Sequence, residues 1–203
     1  MKKYAVLHEP GDIVTLAGTR FVVLDVERRG SLPDSLFLLA LESVGASEFG
    51  SSNNYAESDL KKAVDKWLED MGKRGLDNAK LIPREIDLTT LDGSGCYGKL
   101  SVKAAPLTLD EAREYADIIP NAERWCWLAT GWSGPSKSDG DLALYVNSNG
   151  DWNLSYCSNS YGIRPALKAP SILFEDSEAG LDLSKIPTDD LLQEIHRRLA
   201  EKA

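Results

Sequence analysis

The residue types that most often carry out chemistry are few in this 203-residue chain, which has three cysteines and two histidines. Cys96, Cys126 and Cys157 are odd in number and lack metal-type spacing, so we expect reduced, mostly buried thiols. His8 and His196 lie near opposite ends of the chain and outside any motif. Because a Ser or Cys nucleophile usually needs a neighbouring His as its base, the sequence predicts no catalytic residue and no enzyme.

A pair of aspartates is the one pattern typical of a metal site. In KSDGDL, Asp139 and Asp141 flank Gly140, and hard carboxylate oxygens on a turn are ligands that Ca²⁺ takes. The alternative is a turn stabilised by Asp side chains. Since the rest of a ligand set is missing, the sequence predicts no metal and no cofactor.

The segment LALYVNSNGDWNLSY, residues 142 to 156, has a composition typical of a binding surface. It holds three Asn, two Ser, two Tyr and a Trp around one Gly. Rigid aromatic side chains supply contact area, and small polar side chains supply adaptable hydrogen bonds. The segment therefore predicts ligand recognition rather than catalysis.

The same segment predicts a hairpin with a three-residue loop that ends at Gly150. This register pairs Val146 with Trp152 and Leu144 with Leu154, whereas a two-residue Asn-Gly turn would mix apolar and polar residues on both faces. Leu142 then pairs with Tyr156, which completes an apolar face. The other face displays Tyr145, Asn147, Asp151, Asn153, Ser155 and Cys157. The alternative is an ordinary solvated sheet face, although the near absence of Lys and Glu favours display.

The predicted ligand-binding surface combines this polar face with the preceding Gly/Ser/Pro loop. Its residues are Trp132, Ser133, Ser136, Lys137, Ser138, Asp139, Tyr145, Asn147, Asp151, Asn153, Ser155, Ser158, Asn159, Ser160 and Tyr161. Structural roles are expected for Trp125 and Trp127 in the core, and for Arg164, which should pair with a buried carboxylate or with carbonyls. Trp152 fits either the core or the surface.

Hydrophobic periodicity predicts a mixture of antiparallel strands and two helices. The predicted elements are a hairpin over 13–26, a third strand over 35–44, helices over 58–71 and 107–120, an extended piece over 80–88, a loop over 91–99, and strands over 124–130 and 161–167. Ser58 is a suitable N-cap for the first helix, and Thr108 with Glu111 forms a capping box for the second. Pro165 indicates that the last strand lies at an edge or breaks there.

The C-terminal residues differ from the rest. Residues 1–170 are predicted as one binding domain, 171–187 as an acidic linker, and 188–203 as a capped helix. Leu192, Ile195 and Leu199 form a narrow apolar stripe on that helix. It is predicted to dock a partner or a second copy of the chain, and the alternative is packing on its own domain.

Composition excludes several classes of partner. The net charge is −9 and the pI near 4.8, so the chain would repel a nucleic-acid backbone. The sequence has no run of about 18 apolar residues, so it predicts no membrane-spanning helix. The N-terminal residues lack the apolar stretch of a secretory signal, which predicts cytoplasmic synthesis.

Five segments in a fixed order resemble a group of bacterial and phage domains of unknown function. They are GDIVTL, NNYAESDL followed by KWL, WLAT, YVNSNG and the closing GIRPAL. The resemblance extends over roughly residues 5 to 168. Such domains are similar to the C-type-lectin fold, in the branch that contains formylglycine-generating enzymes and the variable proteins of diversity-generating retroelements.

This resemblance implies an α+β fold with two helices around antiparallel sheets, followed by the C-terminal helix. It implies a non-enzymatic protein that recognises a protein or glycan on a cell or particle surface, and a place in a phage particle. Asn, Ser, Asp, Tyr and Cys are common products of adenine-directed mutagenesis of an Asn codon, and the displayed set matches them. The alternatives are an enzyme or metal-dependent sensor on the formylglycine-generating-enzyme type of fold, and an invariant phage structural protein.

Overall fold

The computed structural model describes residues 8–30, 32–135 and 139–174, together with residues 188, 189 and 192. Within these ranges the strands are β1 Ile13–Leu16, β2 Thr19–Arg29, β3 Leu32–Ala40, β4 Ala46–Glu48, β5 Arg84–Asp87, β6 Lys99–Val102, β7 Ala104–Ala105, β8 Cys126–Gly131, β9 Leu142–Val146, β10 Trp152–Tyr156, β11 Ser160–Gly162 and β12 Ala166–Pro170. The helices are α1 Asp59–Lys73 and α2 Leu109–Glu114, with 3₁₀ turns at Tyr55–Glu57 and Ser171–Phe174. The predicted α+β class is confirmed.

The first sheet has the order β1-β2-β3-β12-β7. Strands β1 to β3 form the predicted antiparallel meander, and Ala17 and Gly18 at its first turn both have positive φ. Such a two-residue turn matches the right-handed twist of the flanking strands. Strand β12 pairs antiparallel with β3, so the C-terminal strand of the domain completes the N-terminal meander.

The second sheet has the order β10-β9-β8-β11-β4 and carries the hairpin that the sequence singled out. The predicted strand over 161–167 is divided into β11 and β12, which belong to different sheets. The division falls at Ile163–Pro165, where Pro165 has no N–H to donate. The predicted break is therefore confirmed. The short pairings of β4 and β7 were not predicted, and β5 and β6 form a separate two-stranded ribbon.

Helix α1 forms as predicted. The hydroxyl of Ser58 caps it by accepting a hydrogen bond from the backbone N–H of Lys61 at 2.9 Å. Its buried residues are Leu60, Val64, Trp67 and Met71. These positions fall on one face because successive members are three or four residues apart.

Helix α2 is shorter than predicted. The capping box of Thr108 and Glu111 is present, but the helix ends at Glu114 rather than near Pro120. Beyond it, Ala116 and Ile118 donate to the carbonyls three residues earlier, at Arg113 and Tyr115. Three-residue spacing tightens the chain into turns, so that residues 115–118 form turns rather than a helix.

Apolar residues form two clusters on either side of the second sheet. The larger cluster contains Trp127 with Phe49, Tyr55 and α1. The smaller cluster contains Leu128 and Leu144 together with residues of α2. Because neighbouring residues of a strand point to opposite faces, Trp127 and Leu128 of β8 fall in different clusters.

The first residues after β12 pack against the N-terminal segment. Ser171–Phe174, predicted as the start of the linker, form a 3₁₀ turn in which Phe174 is buried, and the ring of His8 contacts Phe174 edge-on at 5.8 Å. The remaining linker residues, 175–187, lie outside the described part of the chain, as does most of the predicted helix 188–203. Among the described residues, no helix has the length and apolarity needed to cross a membrane.

Candidate ligand-binding surface

Four aromatic side chains gather on one face of the second sheet. Trp127 of β8 lies directly opposite Tyr145 of β9, and paired residues share a face. Trp125 precedes Trp127 by two positions, so it has the same orientation. Tyr161 is next to Gly162, which pairs with Cys126 in the parallel β11–β8 contact, and therefore joins the same face.

The rings of Trp125, Tyr145 and Tyr161 form what we call the aromatic platform. Trp125 stacks on Tyr145 with a centroid distance of 5.1 Å and an interplanar angle of 17°. Tyr161 meets Tyr145 at 4.8 Å and Trp125 at 5.6 Å. Beneath them, Trp127 contacts Tyr161 at 4.7 Å and donates its indole N–H to the carbonyl of Ser47 at 3.0 Å.

Exposure is distributed unevenly among these rings. Trp125 is 44% exposed, whereas Tyr145 is only 6% exposed beneath it. Trp127 is buried, as predicted, but the prediction that Trp125 belongs to the core is wrong. Tyr145, predicted as displayed, is instead a support for Trp125. The indole of Trp125 and the half-buried ring of Tyr161 are the aromatic surfaces that a ligand can reach.

A chain of neutral polar groups borders the platform. The hydroxyls of Ser155 and Tyr161 are 2.9 Å apart, and the Asn159 amide donates to the Ser155 hydroxyl at 2.7 Å. Asn153 lies opposite Tyr145 in the hairpin and is exposed on the same face. We call Asn153, Ser155 and Asn159 the polar rim. Ser155 is only 8% exposed, so its predicted display is wrong, and its hydroxyl links Asn159 to Tyr161.

The rim and platform carry no formal charge near neutral pH. Burial, and secondarily the neighbouring Tyr161, raises the pKa of Tyr145, so its hydroxyl stays neutral. The side chains that face a ligand here are aromatic, hydroxyl and amide groups. They suit a neutral ligand that offers hydrogen-bond donors and acceptors together with an apolar face.

The hairpin register predicted from the sequence is confirmed. Trp152 pairs with Val146, and Leu154 pairs with Leu144. The loop ends at Gly150, whose φ is +90°, and a Cβ there would lie 2.8 Å from the Oδ1 of Asn121. This position therefore favours glycine both for its backbone conformation and for the close approach of Asn121.

Asn147 and Asp151, both predicted as binding residues, hold the hairpin loop. The Asn147 Oδ1 accepts hydrogen bonds from the backbone N–H groups of Asn149 at 2.8 Å and Asp151 at 3.0 Å. Its amide donates to the Asp151 carboxylate at 3.2 Å. Such local side-chain bonds to the backbone stabilise turns, so both residues have a structural task here.

The remaining exposed members of the predicted set surround β11. Ser158, Asn159 and Ser160 are exposed. Asn159 donates its backbone N–H to the carbonyl of Tyr156 at 2.9 Å, which forms the turn between β10 and β11. The structure therefore brings this turn close to the platform.

The preceding loop contributes less than predicted. Ser133 is 1% exposed, so its predicted display is wrong, and Trp132 is partly buried. Ser136, Lys137 and Ser138 lie outside the described residues. Asp139 accepts a backbone hydrogen bond from Leu142 at 3.2 Å within a turn.

Asn53 is the residue that organises this loop, and the sequence analysis did not identify it. It is buried, and its amide donates to the carbonyls of Ser133 and Leu142, each at 2.9 Å. Its Oδ1 accepts a hydrogen bond from the Tyr97 hydroxyl at 2.6 Å. Three chain segments thus converge on one side chain, which explains the burial of Ser133. Nothing in SSNNY distinguishes a buried Asn from an exposed one.

The buried thiols are shielded from ionisation. Burial raises the pKa of Cys126 to about 11 and that of Cys157 to about 12. The nucleophilic form of cysteine is the thiolate, so both side chains are protonated near neutral pH. Cys96 is exposed.

No group of three or more His, Cys, Asp or Glu side chains suited to a metal ion occurs in the described part of the chain. Arg164 is buried with contacts to carbonyls, as predicted. Its Nε donates to Ala40 at 2.8 Å and its Nη1 to Pro120 at 3.0 Å. This side chain therefore joins β3 to the segment that follows α2.

Comparisons with protein-family models, with curated proteins and with solved structures gave no match.

Proposed function

We propose that this protein is a non-enzymatic ligand-binding protein that recognises its target through the aromatic platform and polar rim. The observation that carries the proposal is the indole of Trp125, which is 44% exposed and stacked on Tyr145. A large exposed ring that is held rigidly loses little conformational freedom on binding, which makes it an efficient contact residue.

The chemistry of the platform suits a neutral glycan or a polar protein loop. The stacked indole offers a flat apolar surface. The half-buried Tyr161 and the exposed Asn159 lie beside it, linked through the buried hydroxyl of Ser155. Charged groups are absent from these residues, so recognition depends on shape and hydrogen bonds. A net charge of −9 further disfavours a polyanionic target.

We further propose that the scaffold is of the C-type-lectin type. Two helices around antiparallel sheets support this assignment, as does the order of the motifs that carry the family resemblance. In such a scaffold, residues on a fixed sheet can be exchanged while the buried supports remain. Trp127 and Tyr145 have the burial expected of such supports.

We also propose that a diversity-generating retroelement varies this surface, but only at some of the positions predicted from the sequence. Asn153, Ser158, Asn159 and Ser160 are exposed around the platform and form the set expected to vary. Tyr145, Ser155, Asn147 and Asp151 are expected to vary less, because they support rings or hold the hairpin loop. Sequencing clonal derivatives, together with a search for a near-copy of the segment encoding residues 132–161, tests this point. Differences confined to adenines of the copy would support it, and an invariant segment without a copy would contradict it.

An enzymatic role through the two buried cysteines receives no support from their environment. The raised pKa values of Cys126 and Cys157 disfavour the thiolate that nucleophilic chemistry requires.

The binding experiment uses two matched tryptophan variants. Trp125 and Trp152 are 44% and 42% exposed and lie on opposite faces of the same sheet. The full chain would be applied to arrays of immobilised neutral oligosaccharides and surface proteins, beside Trp125→Ala and Trp152→Ala. Signals that fall at least about tenfold in Trp125→Ala and persist in Trp152→Ala support the proposal. The reverse pattern, or equal loss in both, contradicts it.

A further inference from the structure

A cleft lies on the face of the second sheet opposite to the aromatic platform. It is a cleft of ≈ 660 Å³, including its open mouth, between the end of α2, residues 119–122 and the β9–β10 hairpin. Its walls are mostly apolar and include Leu107, Ala112, Leu128, Val146 and Trp152. Apolar clefts with one or two convergent polar groups are typical of small-molecule sites.

The charged side chain of this cleft is Arg164, and the amides Asn121 and Asn147 also line it. The Arg164 side chain is only 7% exposed, yet it lines the cleft. Two of its nitrogens donate to carbonyls, whereas Nη2 is buried and has no hydrogen-bond partner among the described residues. A buried polar atom without a partner costs free energy, and this one belongs to a group that stays charged.

The positive charge of Arg164 also lacks a carboxylate partner in the described part of the chain. Burial lowers its pKa, while Cys126 and Glu42 act in the opposite direction. Glu42 is exposed and lies 3.9 Å from Arg20 instead. A buried cation that is held only by carbonyls retains an attraction for an anion.

We propose that this cleft binds a small apolar monocarboxylate, whose carboxylate pairs with Nη2 of Arg164. The hydrocarbon body lies against Leu107, Val146 and Trp152. A monocarboxylate fits better than a phosphate, because only one guanidinium nitrogen is free and the walls are apolar. Charge-assisted hydrogen bonds to a carboxylate are among the stronger ones in proteins.

Access to Nη2 requires a small local shift, since the atom is buried. The covering segment, residues 119–122, has no regular secondary structure. It is tied to Arg164 through the Pro120 carbonyl at 3.0 Å. An incoming carboxylate oxygen offers Nη2 the acceptor that it lacks, which favours the shift.

The test is a titration of the full chain with phenylacetate and hexanoate, each compared with its primary amide of nearly the same shape. Ligand-observed saturation-transfer NMR detects binding, and tryptophan fluorescence provides affinities, because Trp152 lines the cleft. We expect at least one acid to bind at least about tenfold more tightly than its amide. Equal binding of acid and amide, or no binding of either acid, would overturn the proposal.

Three variants locate the bound acid. Arg164→Lys keeps the charge but loses the fork geometry, and it also risks misfolding because Arg164 holds two carbonyls. Ala116→Trp leaves Arg164 intact and places a large ring at the mouth of the cleft, where Ala116 is exposed. We expect Ala116→Trp to weaken acid binding at least about tenfold and Trp125→Ala to leave it unchanged. Loss in Trp125→Ala with retention in Ala116→Trp would place the acid on the platform and overturn the proposal.

Discussion

The two faces of the second sheet each carry one exposed tryptophan, but the surroundings of the two rings differ. Trp125 stacks on Tyr145 beside a chain of hydroxyl and amide groups. Trp152 borders an apolar cleft, with the guanidinium of Arg113 over its ring at 5.5 Å. Similar exposure therefore accompanies two different kinds of surface. One is a neutral aromatic platform suited to a glycan or protein loop, and the other is an apolar cleft suited to a small molecule.

This difference shows that the buried side chains beneath an exposed ring determine which kind of surface the ring belongs to. Trp127 lies under the platform and contacts both Tyr145 and Tyr161. On the other face, Leu128 and Leu144 pack against α2 and leave the cleft at its end. Trp127 therefore supports the platform rings from below.

The largest expected effect follows from removing that support. Trp127→Ala should lower the free energy of unfolding by about 3–5 kcal/mol, because it leaves a cavity in the larger cluster. Urea denaturation followed by circular dichroism measures the change. Trp152→Ala is the control and should change stability by about 1 kcal/mol or less. Comparable losses of unfolding free energy in the two variants would show that Trp127 supports its face of the sheet no more than Trp152 supports the other.

The buried thiol of Cys157 should make a smaller, pH-dependent contribution to the free energy of unfolding. The pKa of Cys157 is raised to about 12 in the folded chain from the model-peptide value of 9.0. The thiol therefore favours folding below pH 9, and its contribution is lost as pH rises from about 9 towards 12.

Comparison of Cys157→Ala with the unsubstituted chain isolates this contribution. The loss of unfolding free energy between pH 8 and pH 10 should be smaller in the variant by about 1 kcal/mol. Urea denaturation at the two pH values measures it. Identical pH dependence in the two proteins would mean that Cys157 titrates as an exposed thiol does.

Loss of the hydrogen bonds in the polar rim should lower the free energy of unfolding by a similar or smaller amount. Ser155→Ala removes hydrogen bonds to Tyr161 and Asn159, which should cost about 1 kcal/mol of unfolding free energy. Ser160→Ala is the matched control, because Ser160 is an exposed residue of β11, and it should cost about 0.5 kcal/mol or less. Thermal unfolding of both variants distinguishes the outcomes. A larger loss in Ser160→Ala would show that the Ser155 hydrogen bonds contribute little.

Local patterns in the sequence were sufficient to predict several parts of this fold. The apolar alternation around Gly150 gave the correct hairpin register, because a one-residue slip would place Trp152 and Leu154 on the wrong face. Ser58 capped its helix as predicted because the capping bond joins residues three apart. The break at Pro165 likewise follows from the chemistry of one residue.

The burial of the site residues could not be predicted in the same way. Alternation identifies which residues share a face, but not which part of that face the rest of the chain covers. Tyr145 was assigned to the displayed face correctly, yet Trp125 covers it. Ser133 is buried because Asn53, 80 residues earlier, donates to its carbonyl. Both contacts join residues from distant segments, and a single sequence contains no local signal for them.

The most direct test of the central claim is a ¹H–¹⁵N spectrum of the tryptophan indoles recorded during titration with the neutral oligosaccharides of the array. The chain has five tryptophans, and the Trp125→Ala and Trp152→Ala spectra assign the two that matter. We predict that a binding oligosaccharide shifts the Trp125 indole resonance in a saturable way and leaves that of Trp152 in place. A shift of Trp152 alone, or no shift of either resonance across the whole panel, would contradict recognition of glycans through the aromatic platform.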